Sequence, residues 1–289
     1  MNRRFLFPIV LTLLTSVVFI SGCKKVVHQN IQAASNSSVA IIVFNDVFAQ
    51  LSTAVNNGTP LNQISQSSWT LSGTASCATA TLSPLGSTFP KTLTVDYGTT
   101  GCTGPNGIVR KGIFTAEFSG NFGDEGTTID ILFDGFTKGQ YTLAGTYSVT
   151  VGAADGLGNP TYSETISDAI ISWGSQQVLW EANLNRTWTE GDTTHFNTPD
   201  TTSIMGVAGL NDDVFELTGS GEGNDSNTHP FTWESSTALI LQTGCAYINQ
   251  GTMVISPANF NDGTIDYGMG ECDKQATIEV DGEVFNFTQ

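Results

Sequence analysis

Four of the five cysteines in this sequence fall into two pairs, Cys77 with Cys102 and Cys245 with Cys272, whose separations along the chain are nearly equal. In an oxidising compartment, cysteines spaced in this way form disulfides, and each would contribute about 3–4 kcal/mol by restricting the unfolded chain. Zinc is the rival ligand, but no two cysteines have two-residue spacing and no histidine lies beside one. Four cysteines allow three pairings, and the matched separations favour 77–102 and 245–272.

The fifth cysteine, Cys23, ends a segment that has the layout of a secretory signal peptide. Two arginines lie near the start, an apolar run covers 5–20, and small residues precede the cysteine. The run is shorter than the roughly 20 residues that a membrane-spanning helix needs. Ile20-Ser21-Gly22-Cys23 resembles the lipobox of bacterial lipoproteins, where cleavage precedes acylation of the cysteine. An ordinary signal peptide with a chance cysteine, or an uncleaved anchor helix, are the alternatives.

The lipobox resemblance implies a location and a first partner. Residues 1–22 are predicted to be a lipoprotein signal peptide, and Cys23 is the predicted site of lipid attachment, with acyl chains such as palmitate. Lys24 follows the cysteine where an aspartate would favour the inner membrane. We therefore expect a protein of the cell envelope that is held on the outer membrane by lipid, with the face of that membrane left open.

Residues that could support catalysis or metal binding are few. The three histidines are isolated, and the sequence contains no recognisable nucleophile, zinc or phosphate-loop motif. Paired acids could form a general acid/base pair or a calcium site, but they lie beside glycines or asparagines and match no calcium loop. We predict exposed turn acids and surface histidines, with no catalytic residue, metal or cofactor. The residues concerned are His28, His195, His229, Asp124-Glu125, Asp212-Asp213, and Glu222 with Asp225.

Tryptophans offer a second type of chemistry, because their rings can stack on sugars. Trp180 and Trp188 alternate on one strand face with Leu184, which favours burial in a core, and Trp173 and Trp233 lie elsewhere. Arg186 shares the face of Trp180 and Trp188. Either its charged end extends to solvent at the end of the sheet, or it forms a polar group within a pocket. The candidate ligand-binding residues are Arg186, Trp180, Trp188 and Trp173.

The charge composition argues against nucleic acid as a partner. Removal of residues 1–22 leaves 267 of the 289 residues, with 8 Lys and Arg against 27 Asp and Glu, a net charge near −19. Nucleic-acid binding depends on Lys and Arg that displace counterions, so we expect no nucleic-acid partner. Charged residues form only 13% of the chain and glycines number 31, a composition that suits twisted strands with tight turns.

Periodicity predicts where these residues are held. Residues 23–36 read as a lipidated tether, and apolar side chains at helical spacing then predict a helix over 37–57, which ends at Asn56-Asn57-Gly58. We interpret this helix as packing on a sheet, since it lacks the cationic face of a membrane-lying helix. Residues 37–289 form one predicted β-rich domain.

From Trp69 onward, apolar residues alternate with polar ones, as in half-buried antiparallel strands. Asp281-Gly282 between two alternating runs predicts a two-residue hairpin with positive φ at both positions, which places Ile278 opposite Phe285 and Ala276 opposite Phe287. We count eleven to thirteen strands. The predicted fold is mainly β, an antiparallel meander that forms an open barrel or a two-layer sheet, with one N-terminal helix packed on it.

Two segments of the sequence repeat one another. These two segments, Val95-Asp96-Tyr97-Gly98 and Ile265-Asp266-Tyr267-Gly268, are each followed by three residues and then a cysteine, and each has a second cysteine at a matching distance upstream. This repeat predicts that each segment belongs to a strand–turn–strand unit closed by its own disulfide. It reflects either duplication or two structurally equivalent edges of one sheet.

These features together resemble a widespread group of bacterial lipoproteins with a β-rich body. The matching residues span most of the mature chain. Lys274 and Gly174 depart from it, because asparagine is expected at both positions. The matching residues are Phe44-Asn45-Asp46-Val47-Phe48, Asp96-Tyr97-Gly98, Gly101-Cys102, Gly107, Arg110-Lys111-Gly112, Gly145-Thr146, Gly158-Asn159-Pro160, Trp173, 186–191, Gly244-Cys245, Asp266-Tyr267-Gly268 and 270–273. The resemblance implies the architecture and brings no activity.

Two functions from different classes remain. The first is a non-enzymatic envelope lipoprotein that is structural or binds an unknown protein or glycan. The second is a hydrolase that acts on an envelope or extracellular polymer such as a glycan. A concave pocket in which a carboxylate pair or a histidine meets Arg186 or a tryptophan would favour the hydrolase.

Overall fold

The structure is a computed structural model that describes residues 9–55, 59–71, 77–104, 107–192, 212–225 and 227–289, with side chains described from Val27 onward. One helix precedes one large antiparallel sheet. The elements are α1 (Ile9–Ala54), a 3-10 turn (Leu61–Gln63), β1 (Ser68–Thr70), β2 (Thr79–Ser83), β3 (Lys91–Asp96), β4 (Cys102–Thr103), β5 (Val109–Phe118), β6 (Thr128–Lys138), β7 (Tyr141–Val151), β8 (Thr161–Trp173), β9 (Gln176–Glu190), β10 (Val214–Asp225), β11 (Pro230–Ser235), β12 (Leu239–Gln242), β13 (Ile248–Pro257), β14 (Gly263–Met269), β15 (Gln275–Val280) and β16 (Glu283–Thr288).

From Asn30 to Ala54, helix α1 lies inside the molecule. Val27–Ala54 contains no glycine or proline, and from Asn30 to Ala54 most side chains are buried on every side of the helix. By length and composition this segment could cross a membrane, but 83% of its most apolar stretch is buried within the protein. A helix that is buried all round belongs to a core, so α1 is the central helix around which the sheet folds.

The helix is longer than the sequence predicts. The expected tether at 23–36 is helical, and Asn30, Ala33, Ala34 and Asn36 are buried. The prediction of a polar tether is therefore wrong for residues 30–36. The predicted helix over 37–57 is the second half of α1, whose last helical residue is Ala54.

The fold class is confirmed as mainly β, with an antiparallel sheet that does not close into a regular barrel. The neighbour order is β1-β2-β3-β5-β6-β7-β8-β9-β10-β11-β13-β14-β15-β16, with β4 on β5 and β12 bridging β10 and β13. This is the predicted meander as a single open sheet rather than two layers. Sixteen strands lie in the described residues, so the count of eleven to thirteen is too low.

A line of register shifts lets the sheet curl around α1. The four pairings that join β5 to β9 in sequence are all interrupted, next to Gly112, Gly135, Gly145 and Asp168. At Gly145 φ is 108°, and a Cβ there would lie 2.7 Å from the Ala169 backbone. Each bulge bends its strand and increases the local twist, and adjacent bulges bend the sheet along one line.

Local predictions made from turn chemistry and cysteine spacing are confirmed. Asp281 and Gly282 have φ of 54° and 81°, and Ile278 pairs with Phe285 as Ala276 pairs with Phe287. The disulfides join Cys77 to Cys102 and Cys245 to Cys272, with Cα–Cα distances of 5.6 Å.

Candidate functional site

The helix carries one acid, Asp46, in its C-terminal part, and that acid meets two cations from the sheet. Asp46 accepts hydrogen bonds from Arg110 of β5, with Nη2 at 2.5 Å and Nε at 2.8 Å. Lys138 of β6 places its Nζ 4.0 Å from the same carboxylate and donates to the Ile42 carbonyl at 3.0 Å. Asp46, Arg110 and Lys138 are all buried. They form what we call the Asp46 cluster, which ties the C-terminal part of α1 to two strands.

Charge balance within the Asp46 cluster sets its protonation. Burial alone would raise the pKa of Asp46, but Arg110 and Lys138 outweigh it and hold that pKa below its ordinary value. Burial lowers the pKa of Lys138, and Asp46 opposes that shift. The pKa of Arg110 is raised, because the attraction of Asp46 exceeds the cost of burial. The carboxylate is therefore ionised at neutral pH and serves as the counter-ion of the buried guanidinium.

Arg186, the cation that the sequence marks as unusual, lies in a second buried cluster. It pairs with Glu164 of the neighbouring strand β8, and its Nη1 donates to Asn45 of α1 at 2.6 Å. Its Cζ lies 4.3 Å from the ring centroid of Phe48 and 5.0 Å from that of Phe215, a cation–π arrangement. Because Arg186 is only 1% exposed, it holds the helix in place and is not accessible to a ligand from solvent.

The candidate tryptophans are also largely core. Trp180 is stacked between Phe44 and Trp233, with ring centroids 5.8 Å and 5.4 Å away. Trp188 packs on Phe215 at 5.2 Å. Both are buried, as alternation with Leu184 suggested. Trp173 is half-buried and makes an edge contact with Tyr141. The side chains of Arg186, Trp180 and Trp188 thus lie on the inside of the sheet. Trp180 also contributes to the lining of the groove described below, which includes none of the other three residues, so the structure does not gather the four residues into one open pocket.

The repeated Asp-Tyr-Gly motifs also contact the helix. In each motif the aspartate accepts a hydrogen bond from the backbone N–H of the glycine two residues later, at 2.7 Å for Asp96 and 2.8 Å for Asp266. Each tyrosine is buried, so that Tyr97 donates to Gln50 at 2.9 Å and the Tyr267 hydroxyl lies 2.8 Å from that of Ser38. The two motifs lie at the ends of β3 and β14, and each of these strands is the third from one edge of the sheet. They are thus two anchor points for one helix.

The remaining predicted site residues are dispersed. Asp124, Glu125 and Asp212 are exposed as predicted, but Asp213 and Asp225 are buried, so the turn-acid prediction is wrong for these two. Asp225 accepts hydrogen bonds from the backbone of its own turn, and His229 Nδ1 lies 3.0 Å from it. His28 is exposed on α1, and His195 lies outside the described residues. Among the described residues, no three His, Cys, Asp or Glu side chains could hold a metal.

A concave surface does exist, on the outer face of the sheet. An open groove of about 630 Å³ runs over β8, β9, β10, β11 and β13, and it continues into a second hollow of about 660 Å³. We call the two together the outer groove. Each volume lies in the range of ordinary ligand sites. The acids that line it are Asp168, Glu181, Glu222, Glu234 and Asp262, and none of its described lining residues is Lys, Arg or His.

Two cross-strand pairs define the chemistry of the outer groove. Glu181 and Glu222 lie directly opposite one another on β9 and β10, and like charges in that position repel. Ile170 and Leu179 are also direct partners, 39% and 43% exposed, one row away along the strands. Residues two apart on a strand are about 7 Å apart. The groove therefore offers negative charge about 7 Å from an apolar patch.

Sequence reasoning missed the groove and half of each buried cluster. Asp46 and Arg110 were noted only as matching residues, while Lys138 and Glu164 were not singled out. One signal in the sequence indicates the buried clusters: an acid lies inside an apolar helix, and cations lie at inward positions of strands that alternate between apolar and polar residues. No such signal exists for the groove, because its lining comes from five strands that are far apart in the chain. Comparison of the chain with protein-family models, with curated proteins and with solved structures gives no match.

Proposed function

We propose that this protein is a lipoprotein of the bacterial cell envelope, anchored through Cys23 on the outer membrane, with a non-enzymatic binding role. The lipobox-like segment at 20–23 supports the anchor. Two disulfides support an oxidising compartment. The resemblance to β-rich lipoproteins agrees with the mainly β fold.

The anchor is tested by the chemistry of the first mature residue. We expect the wild-type protein to incorporate labelled palmitate, to begin at Cys23 with the mass of a diacylglyceryl group and an amide-linked acyl chain, and to fractionate with outer membranes. The Cys23→Ala variant should lose the label, because the thioether needs the thiol. Replacement of residues 1–22 by a non-lipoprotein signal peptide should release a soluble folded protein. A mature chain whose Cys23 thiol is unmodified would refute the anchor.

The outer groove carries the proposal of a binding role. Glu181 and Glu222 repel one another without a cation in the lining, so a positively charged ligand group would relieve that repulsion. The apolar pair Ile170 and Leu179 lies one row away. In an extended peptide, side chains two residues apart point to the same side with about 7 Å between them. We therefore propose an extended peptide with Lys or Arg two residues from an apolar side chain as the ligand.

A matched pair of charge variants tests the groove. The probe is a fluorescein-labelled pentapeptide with Lys at its second position and Leu at its fourth. The double variant E181Q/E222Q should bind it about tenfold more weakly, which is about 1.4 kcal/mol. The control E117Q/E279Q removes the same charge from exposed positions of β5 and β15 outside the groove, and it should bind within about twofold of wild type. Equal losses in both variants would show non-specific attraction to an acidic surface.

A glycan hydrolase is the second candidate, since the groove holds a carboxylate pair. Directly opposed strand residues have Cβ atoms about 4.5–5.5 Å apart, and from there two flexible glutamate side chains can reach the carboxyl separation of about 5–5.5 Å that retaining glycosidases use. Release of reducing ends from peptidoglycan strands or a polysaccharide panel distinguishes the two roles. Hydrolysis that disappears in E181Q/E222Q and persists in E117Q/E279Q would replace the binding role by catalysis.

A further inference from the structure

The point at which α1 enters the sheet lies very close to the predicted lipid site. Helix α1 runs unbroken through Cys23 to Ala54. Asn30, only seven residues beyond Cys23, is fully buried, and its side-chain amide donates to the Asn261 carbonyl at 2.8 Å. A Cβ at Gly263 would lie 3.1 Å from that amide nitrogen. The fit is tight, so the helix is held by the sheet from Asn30 onward.

A helical connection of this length leaves little freedom. Seven helical residues span about 10 Å, whereas the same residues fully extended reach about 25 Å. A helix also fixes direction, which an extended tether does not. The lipid site is therefore about 10 Å from the folded body, on the axis of α1.

Three neighbouring turns lie at the same end of the sheet as this entry point and are bonded to one another. Both carboxylate oxygens of Asp281 accept from the Asn261 amide, at 2.8 and 2.9 Å. The backbone N–H of Ala258 donates to the Pro230 carbonyl at 2.9 Å. We call residues 227–230, 258–262 and 281–282 the entrance rim. Most of these residues are exposed, so the rim is a free polar surface around the start of the buried helix.

We propose that the entrance rim rests against the headgroup layer of a zwitterionic membrane, which fixes the orientation of the whole protein. The inference rests on the proposed acylation of Cys23. Asparagine and threonine side chains of the rim can hydrogen-bond to headgroup phosphates, and the sequence places Lys24 and Lys25 beside the anchor. Asp262 and Asp281 are exposed in the rim, so a strongly anionic bilayer would repel it.

This orientation has a consequence for the outer groove. Pro230, Ala258 and Asp262 belong to both the rim and the groove lining. One end of the groove therefore opens at the membrane surface, and its bound ligand would lie along the bilayer at that end. The turn between β7 and β8, which contains Leu157, lies at the opposite end of β8, about 40 Å along that strand.

The test uses a single introduced thiol, since the mature chain has all its cysteines in disulfides or at the lipid site. Ala258→Cys places a fluorophore on the rim, and Leu157→Cys places one on the distant turn; both positions are exposed. The lipidated protein is inserted into phosphatidylcholine–phosphatidylethanolamine vesicles that contain headgroup-spin-labelled lipid. We expect several-fold stronger quenching at position 258 than at 157. Insertion of about 16 Gly/Ser residues between Lys25 and Val26 adds roughly 22 Å of flexible reach and should make the two positions nearly equal.

The outcomes separate this inference from the anchor itself. Mass spectrometry of the same samples reports acylation of Cys23. Acylated, vesicle-bound protein with equal quenching at 258 and 157 before the linker is inserted would overturn the orientation and leave the anchor intact. Protein without acyl chains that stays off the vesicles would overturn the anchor. Circular dichroism and closed native disulfides confirm that each variant is folded.

Discussion

At the scale of single residues, four of the eight lysines and arginines in residues 23–289 lie inside the protein. Lys91, Arg110, Lys138 and Arg186 are buried, and the last three pair with acids that are buried as well. A buried ion pair gives little net stability, but loss of one partner leaves an uncompensated charge. The pairs therefore specify where α1 sits along the sheet.

Sequence reasoning recognised Arg186 as unusual but could not find its partner. Glu164 lies on the neighbouring strand, two residues from Tyr162, the direct partner of Arg186, and its position beside the arginine side chain depends on the register of β8 and β9. That register is interrupted by a bulge between Ile166 and Ala169. A pairing that depends on an irregular register has no signature in residue spacing, so only the folded structure shows it.

Asp46→Asn tests the Asp46 cluster. The substitution keeps the shape of the side chain but leaves Arg110 and Lys138 buried without a counter-ion. We expect a loss of about 3–5 kcal/mol in the free energy of unfolding. Guanidinium denaturation of the mature protein, followed by the fluorescence of the buried tryptophans, measures this loss.

The matched control is Asp134→Asn, an exposed aspartate on β6. It makes the same chemical change without breaking a buried pair, and its effect should stay within about 0.5 kcal/mol. Equal stabilities of the two variants would mean that the Asp46 cluster does not hold the helix.

At the scale of elements, predictions succeed where local chemistry determines structure. Asp281-Gly282 defines its turn because both residues tolerate positive φ, and alternation then fixes the register of β15 and β16. Strand counting fails for a physical reason. β1, β4 and β12 have three, two and four residues, too few to display a period of two, so they form only through pairing with longer neighbours.

The start of the buried helix escapes prediction for a different reason. His28, Gln29, Asn30 and Gln32 interrupt the apolar pattern and make residues 23–36 resemble a solvated tether. In the fold, the Asn30 side chain donates a hydrogen bond to the backbone carbonyl of Asn261, and the Gln32 side chain donates one to Asn36, one helical turn later. Polar residues at the end of a buried helix can be paired with turns of the sheet, and periodicity does not record those partners.

At the scale of the whole molecule, burial of cations leaves an almost purely acidic exterior. Among described side chains, Lys111 and Lys274 are the exposed cations of the folded body, against a net charge near −19 for residues 23–289. Such self-repulsion favours solubility and opposes compaction. Salt screens it, since the Debye length falls from about 30 Å at 0.01 M to about 3 Å at 1 M.

Salt and acid should therefore act on stability in opposite directions. At pH 7, an increase in NaCl from about 0.01 M to about 1 M should raise Tm by several degrees, because repulsion is screened. Acid acts on Asp46, Asp155 and Asp225, whose pKa values in the folded protein lie below the usual 3.8. A carboxyl group of this kind stabilises the fold at pH values above its unfolded-state pKa. That contribution is lost as the pH falls through the lower, folded-state pKa.

The loss of stability at low pH can be assigned to the Asp46 cluster. We expect the free energy of unfolding to fall steeply below about pH 3.8 in the wild-type protein. The fall should be shallower in Asp46→Asn, which cannot be protonated at that position and has already lost the stabilisation. Asp134→Asn should keep the wild-type slope. Denaturation midpoints measured from pH 2 to pH 7 at fixed ionic strength separate this effect from screening. If the free energy of unfolding falls with pH in the same way in all three proteins, Asp46 is not the carboxyl group whose protonation releases the helix.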